Sequence, residues 1–596
     1  MSKRWTEQQQ DAINARNGSI LVSAAAGSGK TAVLVQRVIQ MLTDDTKPST
    51  ADRLLIVTFT RAAASEMKER ITLALDESIR KNPNDTNLVN QRMLLPLAKI
   101  CTIDSFCNLL VRENFQLLDV PADFKNADEG EMKIIQKQAI DATLAQMYEQ
   151  NDEGFLSLVE FLFKGRDDSY LASVIMDLYK NSMSFPFPNK WLDELIIPFE
   201  KETELWQSRY GQILTNYIEF GLAYCINLCT SVISEVSSDE TLNKIYLTCM
   251  QKVMENLEQM KQNLDDKDWD SLAISVQNFK MPRRGNFPKG YDDEVEKGYF
   301  ETKRDEIKEI ITKKLSPLFC STSSEYTEDM EFFLPHVKKL VECAKLYGEK
   351  FVEFKLEKKL VDFNDITQMA LKLLVVQTKD GYEPTELAMK LRDDFDEILI
   401  DEYQDTNKAQ DMLFTSISNN NLFRVGDVKQ SIYKFRQAMP EIFIGLKEDY
   451  PLYDRSKDNY PAKIILGKNF RSSNFITDNI NFIFEQIMSK QMGDIDYGEE
   501  EQLNCGADYP SEISENQANF NMVFCDLAKA KERELSKDEY EAQIIAEKIE
   551  EMVKNGVTVK DGDTRRAVNY GDFCVMLRSV NGGRGAMYAQ TFKDVG

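Results

Sequence analysis

Residues 24–31 have the types and the order of a loop that binds the phosphates of a nucleotide. They read Ala24-Ala25-Ala26-Gly27-Ser28-Gly29-Lys30-Thr31 and lie between an apolar run at 20–22 and a helical apolar pattern. In such a loop the backbone N–H groups and the following helix N-terminus point at the phosphates. Lys30 then reaches the β- and γ-phosphates, and the Thr31 hydroxyl binds Mg²⁺. We predict a binding site for ATP and Mg²⁺ over the whole loop, although Ala24 stands where glycine is usual.

An ATP-hydrolysing site also needs an acidic element, and the pair Asp401 and Glu402 supplies one. The pair directly follows the apolar run 397–400, which is predicted to be a buried strand. At that position Asp401 can position Mg²⁺, and Glu402 can orient and deprotonate the attacking water.

The segment 425–436 combines a polar sensor with flat aromatic side chains. Its residues are Val-Gly-Asp-Val-Lys-Gln-Ser-Ile-Tyr-Lys-Phe-Arg. Gln430, shortly after a predicted strand, can sense the γ-phosphate. Tyr433 and Phe435 offer faces on which single-stranded bases can stack, and Arg436 adds a positive charge beside them.

A further cation follows the predicted strand 463–466. Arg471 lies in the sequence Asn469-Phe470-Arg471-Ser472, at the start of a predicted helix. An arginine there can reach the γ-phosphate from across a cleft, as an arginine finger does.

The elements that position these residues divide the chain into regions of different pattern. Short β-rich runs alternate with helical patterns over 1–115 and 360–450, which indicates an α/β fold with a parallel sheet. Long amphipathic helices such as 131–150 fill 116–359, which we predict to be a helical insertion. A second α/β pattern is predicted over 451–596, beginning with the strand 463–466 and including a strand at 573–577.

Composition restricts the classes of function. The chain has 596 residues with 73 Lys and Arg against 98 Asp and Glu, a formal net charge of −25, so any nucleic acid must bind in a local groove. One histidine and ten scattered cysteines argue against a zinc site or a histidine triad. The sequence contains no apolar run of 18 residues and no signal segment, from which we predict a cytoplasmic protein.

The order of these motifs resembles that of superfamily 1 DNA helicases of the UvrD and RecB type. Two further motifs match: residues 5–9, similar to the Q motif that recognises adenine through Gln9, and residues 58–67, similar to motif Ia. The resemblance implies two RecA-like motor domains, the second incomplete here, with ATP bound between them. It also implies that single-stranded DNA contacts Phe59, Thr60 and Arg61 together with Tyr433, Phe435 and Arg436.

Within that superfamily the chain is most similar to the AddA components of AddAB-type helicase–nucleases. The segments 360–366 and 570–579 and the length of the helical insertion carry this resemblance. It implies a bacterial enzyme of double-strand-break repair that acts on single-stranded and duplex DNA with an AddB-like subunit. It also implies that motifs V and VI and a nuclease domain follow residue 596 in the parent protein.

Two other interpretations remain open at this point. The first is a stand-alone UvrD/PcrA-type helicase without a nuclease partner. The second is a nucleotide-binding scaffold or switch without motor activity, against which the presence of Lys30, Asp401, Glu402 and Arg471 argues.

Overall fold

A computed structural model gives the architecture of the chain. It describes residues 5–44, 46–118, 120–163, 167–200, 205–288, 290–291, 293–379, 381–507, 520–561 and 564–595. The chain divides into two compact units, one formed by 1–113 with 369–596 and the other by 114–368.

The first unit is built on a six-stranded sheet in which every pair of neighbours is parallel. Its strands, in chain order, are β1 Ile20–Ala24, β2 Leu54–Thr58, β3 Lys99–Thr102, β4 Glu397–Ile400, β5 Leu422–Gly426 and β6 Ala462–Leu466. Their order across the sheet is β6-β1-β5-β4-β2-β3. The central strands are buried along their whole length, as expected for a parallel sheet with both faces covered.

Helices before the insertion cover the first half of the sheet. They are α1 Glu7–Asn14, α2 Lys30–Leu42, α3 Arg61–Lys81, α4 Thr86–Leu94 and α5 Ile103–Glu113. The apolar face of α2, with Val33, Leu34 and Val38, packs in one core with Ile20 and Val22 of β1. The predicted α/β class is confirmed, and the strands predicted near 19–22, 53–58, 397–400 and 422–425 are present.

The second unit is helical. Its helices are α6 Glu129–Glu149, α7 Glu153–Leu162, α8 Ser169–Ser182, α9 Pro188–Glu194, α10 Ile197–Glu200, α11 Arg209–Ser237, α12 Glu240–Leu242, α13 Thr248–Asp265, α14 Trp269–Gln277, α15 Glu294–Glu309 and α16 Ser323–Glu357. A short parallel ladder between Lys125–Asn126 and Leu360–Val361 joins the two ends of this unit. The predicted helix 131–150 is α6, shifted by one or two residues.

In the described part of the chain one helix, α11, is long and apolar enough to cross a membrane. One face of α11 lies in the core of the helical unit, with Ile218, Leu222, Cys225 and Cys229 fully or almost fully buried against α13. Its apolar character is accounted for by that packing.

The remaining helices follow the insertion. They are α17 Phe363–Leu374, α18 Glu386–Asp394, α19 Lys408–Ser416, α20 Pro440–Asp449, α21 Asn474–Ile487, α22 Lys490–Gly493, α23 Leu527–Glu532, α24 Lys537–Lys554 and α25 Arg584–Val595. Three two-stranded ladders accompany them: Val375–Thr378 with Gly381–Pro384, Lys468–Asn469 with Asn504–Cys505, and Thr558–Asp561 with Thr564–Ala567.

Two predicted strands differ from the structure. The strand predicted to begin a second α/β unit at 463–466 is β6, which pairs with β1 in the first sheet, because Ala462, Ile464 and Leu466 bury their side chains in the first core. The strand predicted at 573–577 is absent from the described residues 571–580, most of which are exposed and have no neighbouring strand to complete a ladder. Conversely, the edge strand β3 has no counterpart among the predictions.

Candidate functional site

The sheet brings the predicted site residues to one edge. Because all six strands are parallel, the residues after Ala24, Thr58, Ile400, Gly426 and Leu466 leave the sheet on the same side. The phosphate loop, the segment 59–61, the acidic pair, the segment 427–436 and the segment 469–472 each follow one of these strand ends. Ligands of open α/β sheets bind beyond the carboxyl ends of the strands.

The loop 24–31 has the strand–loop–helix geometry that its sequence predicts. Ala24 ends β1 and Lys30 begins α2. Gly27 and Gly29 have φ of +71° and +82°, which is left-handed backbone that side chains with a Cβ rarely adopt. The two glycines are therefore required by the backbone path itself.

Gln9 is linked to this loop by a hydrogen bond. Its Nε2 donates to the Ser28 carbonyl at 3.0 Å, and its Oε1 accepts from the Thr6 backbone N–H at 3.0 Å. The Thr6 hydroxyl in turn accepts from the Gln9 N–H, which forms a capping box at the start of α1. Both ends of the Gln9 amide are engaged, so its orientation is fixed at the mouth of the loop.

A cavity of about 310 Å³ opens beside Gln9. It is lined by Thr6, Gln8, Gln9, Ser28, Ile465, Leu466, Gly467, Lys468, Phe470 and Asn504. Apolar and aromatic walls with a few polar groups are typical of a site for a flat base. The cavity adjoins the phosphate loop, as a nucleotide base pocket must.

The Ser28 hydroxyl is buried and has no hydrogen-bond partner among the described residues. A buried hydroxyl without a partner costs free energy unless a ligand or water satisfies it. Lys30 and Thr31 lie in the first turn of α2, whose N-terminal N–H groups favour an anion. These residues fit the phosphates of ATP and, at Thr31, a bound Mg²⁺.

The acidic pair lies against Lys30. Lys30 Nζ donates to Glu402 Oε2 at 3.3 Å, and the Glu402 backbone N–H donates to Asp401 Oδ1 at 3.1 Å. Burial and the neighbouring Glu402 carboxylate raise the pKa of Asp401 to about 6, while the charge of Lys30 acts in the opposite direction. A divalent cation would stabilise the ionised form of this carboxylate, so Asp401 suits an Mg²⁺ site.

Glu402 adopts left-handed backbone geometry, with φ 52° and ψ 42°. A non-glycine residue in this region costs roughly 1 kcal/mol or more, and such residues cluster at functional sites. The 3₁₀ turn Tyr403–Asp405 begins immediately after it. Gln404 of this turn donates from Nε2 to Glu402 Oε2 at 2.8 Å, a contact that no local sequence signal indicated.

Gln430 is held by Asp427 in the turn that follows β5. Its Nε2 donates to Asp427 Oδ2 at 2.7 Å, and Lys429 Nζ lies 2.9 Å from Asp427 Oδ1. Lys429 also pairs with Glu501 at 2.6 Å. The structure thus fixes the polar end of the segment 427–436 within a buried ion network.

Asn469 attaches the segment 469–472 to the phosphate loop. Its Nδ2 donates to the Ala26 carbonyl at 2.8 Å, and its Oδ1 accepts from the backbone N–H groups of Arg471 and Ser472 at 2.8 and 2.7 Å. The Phe470 N–H also donates to the Gly27 carbonyl at 2.9 Å. Arg471 is thereby placed beside the loop, and Asn469 is a site residue that sequence reasoning missed.

Aromatic rings from two strand ends form a continuous surface. The rings of Phe59 and Tyr433 are 4.7 Å apart between centroids, and those of Tyr433 and Phe435 are 5.8 Å apart. The Arg436 guanidinium lies 5.4 Å from the Tyr433 ring centroid. Phe435 is 70% exposed, so its ring is open to a stacking base.

Thr60 and Arg61 lie at the start of α3. The Thr60 hydroxyl accepts from the Ala63 N–H at 3.1 Å and caps the helix. Burial raises the pKa of Asp104, while the charges of Arg61 and Arg436 lower it. Both arginines therefore act electrostatically on one carboxylate, which places the first residue of α3 and the end of the aromatic segment in the same neighbourhood.

Comparison with known proteins gives a consistent picture. Residues 5–451 match the family described as the UvrD/REP helicase N-terminal domain. Relatives named as the A component of an ATP-dependent helicase/nuclease are 35% identical in Clostridium acetobutylicum, over 99% of this chain and 49% of the relative, and 34% identical in Acetivibrio thermocellus, over 100% and 50%. A third, from Thermoanaerobacter sp. strain X514, is 36% identical over 98% and 49%. The chain spans about half the length of the curated relatives that it matches.

Proposed function

We propose that this chain, which belongs to the UvrD/REP helicase family, forms the ATP-hydrolysing motor of a DNA helicase. Helicases of this family use ATP. The observation that carries the proposal is the meeting of Lys30, Asp401 and Glu402 at the phosphate loop, with Lys30 Nζ 3.3 Å from Glu402 Oε2. The segment 427–436 leads from that site to the exposed aromatic surface.

In the proposed reaction ATP occupies the loop 24–31 with its base in the cavity beside Gln9. Lys30 binds the β- and γ-phosphates, and Thr31 and Asp401 would hold Mg²⁺, which supplies charge neutralisation of the phosphates. Glu402 accepts the proton of the attacking water. Gln430 and Arg471 contact the γ-phosphate and report its loss.

Single-stranded DNA would lie on the surface formed by Phe59, Tyr433 and Phe435, with Thr60, Arg61 and Arg436 at its phosphates. Base stacking suits a chain whose formal net charge is −25, because it requires no general positive field. ATP-driven closure of the motor and its reopening after hydrolysis would move the strand by steps.

The identities to the three bacterial relatives support a finer proposal. We propose that the chain belongs to a bacterial helicase–nuclease of double-strand-break repair, acts in the cytoplasm on single-stranded and duplex DNA, and assembles with an AddB-like subunit. Size-exclusion chromatography of the chain mixed with such a partner tests the assembly. Independent elution of the two would favour a stand-alone helicase.

ATP hydrolysis tests the motor proposal. The 596-residue chain is incubated with Mg-ATP, with and without a single-stranded oligonucleotide, and Lys30→Ala serves as the blank. We expect hydrolysis that the oligonucleotide stimulates and that the variant lacks. ATP binding without any hydrolysis would instead favour a nucleotide-dependent scaffold.

A further inference from the structure

Gln404 is a buried amide whose two ends contact two different parts of the site. Its side chain belongs to a residue that is 1% exposed. Nε2 donates to Glu402 Oε2 at 2.8 Å and to Asp405 Oδ2 at 3.2 Å. Oε1 accepts from the Asp427 backbone N–H at 3.0 Å.

The orientation of this amide is determined by its partners. A backbone N–H can only donate, so Oε1 must face Asp427, and ionised carboxylates can only accept, so Nε2 must face Glu402 and Asp405. A flipped amide would lose all three hydrogen bonds. The amide therefore has one favourable orientation.

Gly426 leaves the space that Gln404 needs. A Cβ at Gly426 would lie 2.4 Å from Gln404 Oε1 and 2.9 Å from a ring carbon of Phe443. Both groups are buried, so neither can move aside without cost. The end of β5 and the Gln404 amide are thus matched in shape.

Asp427, whose backbone N–H forms one side of this link, also holds Gln430 through the 2.7 Å hydrogen bond from Gln430 Nε2. A series of hydrogen bonds consequently runs from Lys30 through Glu402, Gln404 and Asp427 to Gln430. If Lys30 turns to a bound phosphate, the Gln404 N–H remains as a donor to Glu402 Oε2.

We propose that Gln404 is a positioning residue that orients Glu402 toward the attacking water and couples it to the turn carrying Gln430. The inference rests on the proposed ATPase function. Gln404 does not itself touch the reacting atoms. It acts through Glu402 on one side and through Asp427 on the other.

Four variants and one control of the whole chain test this role. Gln404→Ala removes both halves of the link, and Gln404→Glu keeps an acceptor for Asp427 but removes the donor to Glu402. Gly426→Ala disturbs the amide from the opposite side, and Glu402→Gln removes the base. Gln410→Ala is the matched control, because Gln410 caps α19 through Asn407.

Equilibrium binding of a fluorescent ATP analogue and single-turnover hydrolysis of Mg-ATP with single-stranded DNA are measured for each. We expect Gln404→Ala, Gln404→Glu and Gly426→Ala to slow hydrolysis by about 10- to 100-fold, the effect of a misplaced catalytic group, with ATP affinity nearly unchanged. In the Glu402→Gln background, Gln404→Ala should have no further effect, because residues that act as a unit are not additive. Gln410→Ala should hydrolyse ATP normally.

Three results would overturn the inference. An unchanged rate in Gln404→Ala, or an equal further loss in the Glu402→Gln background, would show that Gln404 does not act through Glu402. Loss of ATP affinity in parallel with the rate would indicate a general structural role. A wild-type chain without any hydrolysis would overturn the proposed function and this inference together.

Discussion

Lys30 Nζ lies 3.3 Å from Glu402 Oε2, so the lysine proposed to bind phosphate pairs with the carboxylate proposed to act as the base. The two residues are 372 positions apart in the chain and meet because β1 and β4 end at the same edge of the sheet. ATP binding would give the lysine a phosphate partner and release the carboxylate for the water. The pairing therefore connects nucleotide binding to activation of the base.

Lys30 and Glu402 should fail in different ways when substituted. Lys30→Ala removes a phosphate contact and is expected to weaken ATP binding and abolish hydrolysis. Glu402→Gln keeps the shape but removes the base, so ATP should stay bound while turnover falls about 10²-fold or more. Equal losses of ATP affinity in the two variants, measured with a fluorescent analogue, would contradict these roles.

Phe435→Ala should weaken single-stranded DNA binding by about 1–3 kcal/mol, because a stacking face is lost. The salt dependence of binding should hardly change, since no phosphate contact is removed. Ile432→Ala is the matched control, because Ile432 and Phe435 are both 70% exposed and only one is aromatic. Fluorescence anisotropy of a labelled oligonucleotide measures both, and equal affinities would place Phe435 outside the DNA path.

Asn469→Ala should loosen the phosphate loop. Asn469 is 3% exposed, and its loss leaves the Ala26 carbonyl and two backbone N–H groups without their partner. An unsatisfied buried group costs about 1–3 kcal/mol, so both the melting temperature and ATP affinity should fall. Asn479→Ala, which removes a hydrogen bond within α21, is expected to retain ATP affinity. Unaltered ATP binding in Asn469→Ala would show that the attachment is irrelevant to the site.

Lys355 should stabilise the helical unit more strongly at high pH than at low pH. It is 1% exposed, and its Nζ donates to Asp362 Oδ2 at 2.8 Å and Asp365 Oδ1 at 2.7 Å. Burial and the charge of Asp362 raise the pKa of Asp365 to about 6, above the ordinary 3.8, whereas Lys355 lowers it. Between these values the folded state holds a proton that the unfolded state has lost, so stability falls as pH rises.

Lys355→Met removes the compensating charge and should move this pKa still higher. The loss of stability should therefore be larger at pH 8 than at pH 5, with a cost of about 3–5 kcal/mol for an uncompensated buried charge. Lys359→Met, which breaks the exposed pair with Asp123, should have little effect at either pH. Thermal unfolding at both pH values measures the difference, and a pH-independent loss would contradict the explanation.

Sequence alone predicted the parts of the site that are local. The loop 24–31 and the pair Asp401–Glu402 have short-range patterns tied to a preceding apolar strand, and the structure brings them together. Asn469 and Gln404 could not be recognised, because their partners Ala26 and Asp427 are 443 and 23 residues away. Such contacts depend on the order of strands in the sheet, which periodicity does not encode.

The same reason explains the error at 463–466. The apolar pattern predicted a strand correctly, but not the sheet that it joins, and β6 pairs with β1 through a register set by Ile464 and Leu466. At 573–577 the sequence has a β-rich composition, yet a strand requires a neighbour, and the described residues there have none. Composition predicts a tendency, whereas pairing is a property of the whole fold.

The coupling of ATP hydrolysis to the aromatic surface is tested most directly by one titration. Single-stranded oligonucleotide is added to the wild-type chain and to Phe435→Ala at saturating Mg-ATP, and the rate of ATP hydrolysis is recorded. The proposed function predicts a saturable rise in rate for the wild type and a half-saturating DNA concentration about tenfold or more higher for Phe435→Ala, as expected for a lost stacking contact. A hydrolysis rate that is independent of DNA in the wild type would contradict it.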